Sequence, residues 1–288
     1  MEAWVEANLG TGSVVKSNLF GSSGWSSQYV METSQGAKYF IKTARGSDES
    51  MFKGEALGLQ AMYDAGGLKI PKVFHYGEHP SGNGTFIVME YLKFSGGCGD
   101  AELGRALAKM HLMKPKDEMA ASGHFGFPVD NTIGGTPQPN GWSDNWVDFF
   151  REKRLLHQLN LAGDSRLSQM GERLADNLEK LFEGIEVTPS VLHGDLWSGN
   201  IATVDGQPSV FDPAVYYGHH EAEFGMSWCA GFSGAFWKAY HDVIPRAPGF
   251  DERKQLYLLY HYLNHYNLFG SGYYGQCESI LSSLTRGL

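Results

Sequence analysis

Val191-Leu192-His193-Gly194-Asp195-Leu196-Trp197-Ser198-Gly199-Asn200 is the stretch around which the chain is organised, and Val210-Phe211-Asp212-Pro213 answers it after a short apolar run. The pattern is His-Gly-Asp, then an Asn, then a second Asp at the end of a hydrophobic strand. Leu192 and Ile201 to Val204 read as short strands flanking a loop, and Ser209-Val210-Phe211 as another. A hairpin there returns Asp212 to the side of Asp195 and Asn200. Phosphoryl transfer from ATP needs such side chains at one point. One carboxylate takes or orients the proton of the attacking hydroxyl, and a carboxylate and an amide hold magnesium on the phosphates. Asp195 suits the first role, Asn200 and Asp212 the second. Singly, Asp and Asn are ordinary turn residues; the combined string is far more specific.

The string His193 to Asn200 with Phe211-Asp212-Pro213-Ala214 resembles the fructosamine-3-kinase / ketosamine-3-kinase family. The resemblance runs nearly end to end. It includes Gly54-Glu55-Ala56-Leu57-Gly58-Leu59, Asp130 to Ile133, Tyr217 to Glu223, and His261 to His265 through Gly270 to Tyr273. Trp197 and the late Asn264-His265 pair resemble this branch rather than its antibiotic-kinase relatives, and the plant members are nearest. The resemblance implies an α+β, bilobal, protein-kinase-like (aminoglycoside-phosphotransferase-like) fold. A small antiparallel-sheet N-lobe (residues 1–92) would carry the nucleotide, and a mainly helical C-lobe (93–288) the catalytic loop. It implies ATP and magnesium as cofactors, with glycated proteins or small ketosamines as substrates.

Composition sets outer bounds. The length suits one unit of two lobes, and 42% hydrophobic residues suffice for a sizeable core. A net charge of -9 without a Lys/Arg cluster argues against nucleic acid as the main partner. No apolar run reaches membrane-spanning length. Cys98, Cys229 and Cys277 give neither a zinc pattern nor a disulfide framework, which fits a reducing compartment. Met1 to Glu6 is acidic and reads as neither signal nor transit peptide. The expectation is a cytoplasmic protein, a monomer or weak dimer. The plastid stroma is the alternative if a leader was removed, since plant relatives often work there.

Along the N-terminal half, Glu2 to Leu9 reads as a short helix. Val14 to Leu19 and Gln28 to Glu32 read as strands around the Gly/Ser-rich loop Gly21-Ser22-Ser23-Gly24-Trp25. Small residues let such a loop fold over phosphates with N–H groups as donors, although a plain hairpin turn has the same composition. Family members often carry a redox-active Cys in this loop; here Trp25 and serines stand there, so no thiol switch is expected. Ala37 to Lys42 is a third strand ending in Lys42, placed to touch the phosphates. Glu55, on a helix from Ser50 to Tyr63, would hold Lys42, and the family string favours it over Glu49. Ile70 to Phe74 and Thr85 to Tyr91 are two more strands. By resemblance, the main chain at Glu90 and Leu92 binds the adenine edge, and Gly96-Gly97-Cys98-Gly99 is a joint between lobes.

In the second half, Asp100 to Leu112 has helical spacing, and His111 at its end is a cap or core contact. Phe125 to Trp142 is a long loop suited to walling the cleft. Trp146 to Ala162 and Arg166 to Phe182 read as amphipathic helices. The His219-His220-Glu221-Ala222-Glu223 run invites a metal reading, but adjacency does not converge ligands. Glu223, opening a helix from Phe224 to Phe232, is read as binding the backbone of the catalytic loop. His261 and His265 are spaced to chelate zinc, yet their aromatic surroundings favour packing or sugar contact. Trp197 offers a flat face to the sugar or its amine, or else plugs the core. Asn264 and His265 are expected to border the substrate. Two other readings are a kinase for another small alcohol, such as an aminoglycoside or choline-like compound, and a nucleotide-binding pseudokinase module.

Overall fold

The N-terminal part runs α1 (Glu2–Asn8), β1 (Val14–Ser22), β2 (Ser27–Thr33), β3 (Lys38–Ala44), α2 (Ser50–Ala65), β4 (Val73–Glu78) and β5 (Thr85–Glu90). These are the elements of a computed structural model that describes residues 1–22, 26–46, 50–95 and 99–286, with the backbone only of residues 50 and 51. The strands form one antiparallel sheet in the order β1-β2-β3-β5-β4. Period-two alternation explains its two faces. Tyr39, Ile41, Phe86 and Val88 pack outward with Met31 and Val5, so α1 covers that side. Phe40, Ile87 and Met89 point the other way, into a core shared with α2 and the helices beyond. β4 starts at Val73 rather than Ile70, because Pro71 has no N–H to give a ladder.

The rest is mainly helical: α3 (Asp100–Leu112), α4 (Glu118–Ala121), a hairpin β6 (Asn131–Ile133) and β7 (Thr136–Gln138), then α5 (Trp146–Phe150), α6 (His157–Ala162) and α7 (Ser165–Ala175). After these come β8 (Ser190–Leu192), β9 (Ile201–Val204), β10 (Gln207–Val210) and β11 (Tyr216–Gly218). The chain ends with α8 (Ser227–Ala230), α9 (Gly234–His241), α10 (Phe250–Phe269) and α11 (Tyr274–Leu284). The architecture is the α+β, two-lobed one expected from the sequence. Lys69 N–H ties the first part to the second by donating to Pro208 O, and Ser95 N–H, just past the connector, donates to Thr203 O, each at 2.8 Å.

Three helices differ from their sequence reading. Trp146 to Ala162 is continuous but relaxes into a π-turn at Arg151–Leu156. There Arg154 turns inward, fully buried, with its guanidinium 4.1 Å from the Tyr216 ring. The Arg166–Phe182 helix breaks after Ala175, where the Asn177 side chain donates to Arg173 O and competes with the helix ladder. The Phe224–Phe232 helix is instead a 3-10 segment, His220–Met226, followed by the short α8. Among the described residues, no helix is long and apolar enough to cross a membrane.

Candidate active site

Lys42 and Gln28 are register partners on β3 and β2, and both line the cleft beneath the sheet. The Lys42 Nζ donates to Glu55 Oε1 at 2.7 Å and to Asp212 Oδ1 at 2.5 Å. Burial by itself would lower the Lys42 pKa, but the Glu55 and Asp212 carboxylates outweigh it and hold the amine protonated. Glu55 is placed by the docking of α2. A Cβ on Gly54 would lie 2.8 Å from the Asn131 Cβ, and one on Gly58 2.8 Å from a Val215 methyl. The helix therefore lies directly on the segment following Asp212.

The loop from His193 to Asn200 leaves β8 and is fixed by hydrogen bonds between its main chain and the His193 and Glu223 side chains. His193 accepts the Asp195 N–H at Nδ1 (3.2 Å) and donates from Nε2 to Phe211 O (2.9 Å), which sets the Nε2–H tautomer. Gly194 has φ +79°, and a Cβ there would lie 2.2 Å from Ala214 O, so only glycine fits. From below, Glu223 accepts the N–H groups of His193 (2.7 Å) and Gly194 (2.9 Å). Glu223 is itself bonded to His111 Nε2, whose Nδ1 reaches Tyr240 OH. Burial would raise the Glu223 pKa, but His111 and the His193 contacts win and hold it below the ordinary carboxylate range.

β9 and β10 form the expected hairpin. Its turn, Asp205-Gly206, has positive φ at both residues (49° and 79°), the geometry that matches strand twist. Phe211 N–H then meets Asn200 O at 3.2 Å, bringing Asp212 back to the loop. The Asn200 amide nitrogen donates to Asp195 O (2.9 Å), Asp195 Oδ2 (3.3 Å) and Asp212 O (3.3 Å). With its nitrogen so engaged, the side-chain oxygen is left as the free acceptor end. Asp212 sits at φ 55°, a left-handed conformation that Asp tolerates better than most residues. A hard divalent cation takes oxygen donors of this kind, and the Asn200 amide and Asp212 carboxylate fit one.

Asp195, Asp212, Lys42 and Glu55 thus share one cleft of about 240 Å³, which Ser26, Gln28, Phe52, Thr132, Gly134, Pro213 and Ala214 also line. Burial pushes the Asp195 carboxyl above its usual value, against the opposing pull of His193, His265 and the Asn200 hydrogen bond. The β6–β7 hairpin walls the cleft through Thr132 and Gly134. Sequence reading placed Gln28 in a strand and Thr132 in the family-like string but gave neither a role at the site; the pairing of Gln28 with Lys42 across β2 and β3 brings Gln28 to the cleft.

The other expected residues fall as follows. Gly21 and Ser22 close the β1–β2 ladder opposite Gln28 and Ser27; Ser23, Gly24 and Trp25 lie outside the described residues, as do Glu49 and Gly96 to Cys98. Glu90 bonds Lys69 through its side chain (2.9 Å), and its N–H goes to Lys72 O (2.8 Å). Trp197 is 40% exposed, so it is no core plug. His265 lies within electrostatic reach of Asp195 and donates from Nδ1 to His261 O (2.7 Å). Asn264 does not border the cleft surface. It is 2% exposed and bonds Gln158 and Ile133 O, because its position on α10 faces the core. His219, His220 and Glu221 do converge, but both Glu221 oxygens are taken by the Arg253 guanidinium (2.7 and 2.9 Å). Each of these histidines also bonds a buried tyrosine hydroxyl.

The sequence profile described as fructosamine kinase matches residues 2–286. The chain belongs to the fructosamine kinase family. A relative in Arabidopsis thaliana named chloroplastic protein-ribulosamine 3-kinase is 52% identical over 256 residues, covering 87% of this chain and 77% of that one. Among solved structures, a candidate fructosamine-3-kinase from Thermobifida fusca superposes with TM-score 0.85 at 27% identity, over 100% of this chain and 99% of that one. The aminoglycoside phosphotransferase APH(4)-Ia, in ternary complex with AMP-PNP and hygromycin B, shares the fold at TM-score 0.66 and 16% identity, covering 100% of this chain and 99% of that chain. These comparisons bear out the kinase-like fold of this fructosamine kinase family member. They overturn the cytoplasmic placement. The acidic start of the chain suggested it, but the Arabidopsis relative is named chloroplastic.

Proposed function

We propose that this chain phosphorylates the 3-hydroxyl of ketosamines, sugars joined to an amine by Amadori rearrangement, using ATP. The product adduct then falls apart, so the outcome is deglycation. The observation that carries the reading is the meeting of Lys42, Asp212 and the Asp195–Asn200 loop from three separate points of the sequence. The Asp195 carboxylate orients the attacking hydroxyl and takes its proton. Its raised pKa makes it a better base than a free carboxylate. Lys42, steadied by Glu55, neutralises phosphate charge. Asn200 and Asp212 would hold magnesium, which supplies charge neutralisation on the phosphate oxygens.

The loop from Gly21 to Gly24 would cover the phosphates, and the main chain at Glu90 and Leu92 would meet the adenine edge. Trp197 and His265 flank the acceptor side of Asp195. The lobes divide at residue 92, and the chain acts as a monomer or weak dimer. The name of the Arabidopsis relative supports ribulosamine adducts on proteins as substrates and the plastid stroma as the compartment.

A phosphate-transfer assay with fructosyl-lysine, ribulosyl-lysine, an aminoglycoside and choline, with and without magnesium, tests this. Magnesium-dependent transfer to a ketosamine, and not to the other alcohols, is the expected result. Transfer only to an aminoglycoside or choline, or ATP binding without transfer to any acceptor, would refute it.

A further inference from the structure

On the acceptor side of the cleft, around His265, lies a group of rings to which the mechanism above gives no role: Trp228, Tyr262, Phe269 and Tyr273. Trp228, on α8, is 42% exposed, a high value for a tryptophan. It is stacked on Tyr262 of α10 (centroids 5.1 Å apart, 24° between planes) and meets the His265 ring edge-on at 5.4 Å. With one face on Tyr262, the remaining surface of the indole looks to solvent. Beyond it, Phe269 (66% exposed) and Tyr273 pack against His265 at 5.5 and 5.1 Å. The rings form one rim running from α8 across α10 to the segment before α11.

This rim adjoins the reacting centre. Asp195 is in electrostatic reach of His265, and of Cys229, the residue after Trp228. α8 also packs on the turn Ser198–Asn200 of the catalytic loop. An acceptor hydroxyl held at Asp195 therefore projects the rest of its molecule toward these rings. In a ketosamine, the rest of the molecule begins with a secondary amine, which is a cation at neutral pH. A protein can hold such a cation with a carboxylate or with ring faces. The chain carries no Asp or Glu between Glu223 and Asp242, nor between Glu252 and Glu278, the two stretches that build this wall. Asp195 is committed to the hydroxyl. Ring faces are what the wall offers.

We infer that the Trp228 rim, with Phe269 and Tyr273, is the subsite for the ammonium and attached side chain of the acceptor, and that Trp228 sets preference for amine-bearing sugars. The inference rests on the ketosamine kinase reading and deepens it. Cation–π contact falls away when the indole is removed, while the sugar end at Asp195 keeps its contacts.

The test is Trp228→Ala with Trp228→Phe beside it, measuring KM for fructosyl-lysine, KM for ATP, and the inhibition constant of 1-deoxyfructose, which lacks the amine. Trp228→Ala is expected to raise KM for fructosyl-lysine about 3- to 30-fold while moving the 1-deoxyfructose and ATP constants less than about twofold, and Trp228→Phe to recover most of the loss. An unchanged fructosyl-lysine KM would overturn the inference. So would a parallel weakening of 1-deoxyfructose, which would mean general distortion of the site. If the unmodified enzyme transfers phosphate to no ketosamine, the functional reading falls and this one with it. If it does transfer and Trp228→Ala is silent, only this one falls.

Discussion

Glu223→Gln tests whether the catalytic loop is held from beneath. The carboxylate is 2% exposed and collects three donors: the N–H groups of His193 and Gly194 at 2.7 and 2.9 Å, and His111 Nε2 at 3.2 Å. Glutamine keeps the shape but offers one accepting oxygen and one NH2. Either way it turns, at least one main-chain N–H faces another donor. An orphaned buried donor costs about 1–3 kcal/mol, and the surviving bonds lose their charge assistance, so the total is about 2–4 kcal/mol. At about 2–4 °C per kcal/mol for a chain of this size, the melting temperature falls by about 5–15 °C. His193 and Gly194 immediately precede Asp195, so the loop shifts with them. kcat is expected to drop at least about tenfold, since small misplacements of a catalytic group are costly. KM for ATP should change little. Thermal melting followed by circular dichroism, with steady-state kinetics at a permissive temperature, reads both effects. A melting temperature within about one degree of the parent, together with unchanged kcat, would refute the anchoring role.

Three further outcomes follow from the same geometry. Lys42→Met removes the cation between Glu55 and Asp212 and should cut kcat/KM for ATP by about 10²–10³-fold, read by initial rates against ATP. Gly58→Ala puts a Cβ 2.8 Å from a Val215 methyl, which overpacks the α2 contact at a cost of about 1–3 kcal/mol, visible in urea unfolding and as a raised KM for ATP. The acid limb of the kcat–pH profile should lie above the ordinary carboxylate value of about 3.9, because burial raises the Asp195 pKa and Asp195 must be ionised to accept a proton. His265 pulls that pKa down, so His265→Ala should move the limb to still higher pH.

Much of the site could be read from the sequence because its parts are local. Asp195 and Asn200 share one loop, and the hairpin that returns Asp212 is marked by Asp205-Gly206 between two apolar runs. Lys42 was legible because it closes the apolar Tyr39-Phe40-Ile41 run of a strand. What stayed hidden depends on contacts between distant segments. Gly54 and Gly58 look like weak points within a helix until Asn131 and Val215 are seen against them. The His111–Tyr240 link to Glu223 joins residues from three helical segments, and no spacing in the chain announces it. Asn264 failed as a cleft residue because one turn of α10 carries both core and cleft faces; its neighbour His265 reaches toward Asp195 while Asn264 bonds Gln158. The π-turn at Arg151–Leu156 also escapes periodicity, since one widened turn rotates the helix without breaking it.

The central claim is that Asp195 acts on the acceptor hydroxyl while Lys42, Asn200 and Asp212 serve the nucleotide. Asp195→Asn, assayed for phosphate transfer to a ketosamine alongside ATP binding by calorimetry, tests it most directly. The account predicts ATP affinity close to the parent and turnover lower by at least about 10²–10⁴-fold. Turnover near the parent's would contradict it.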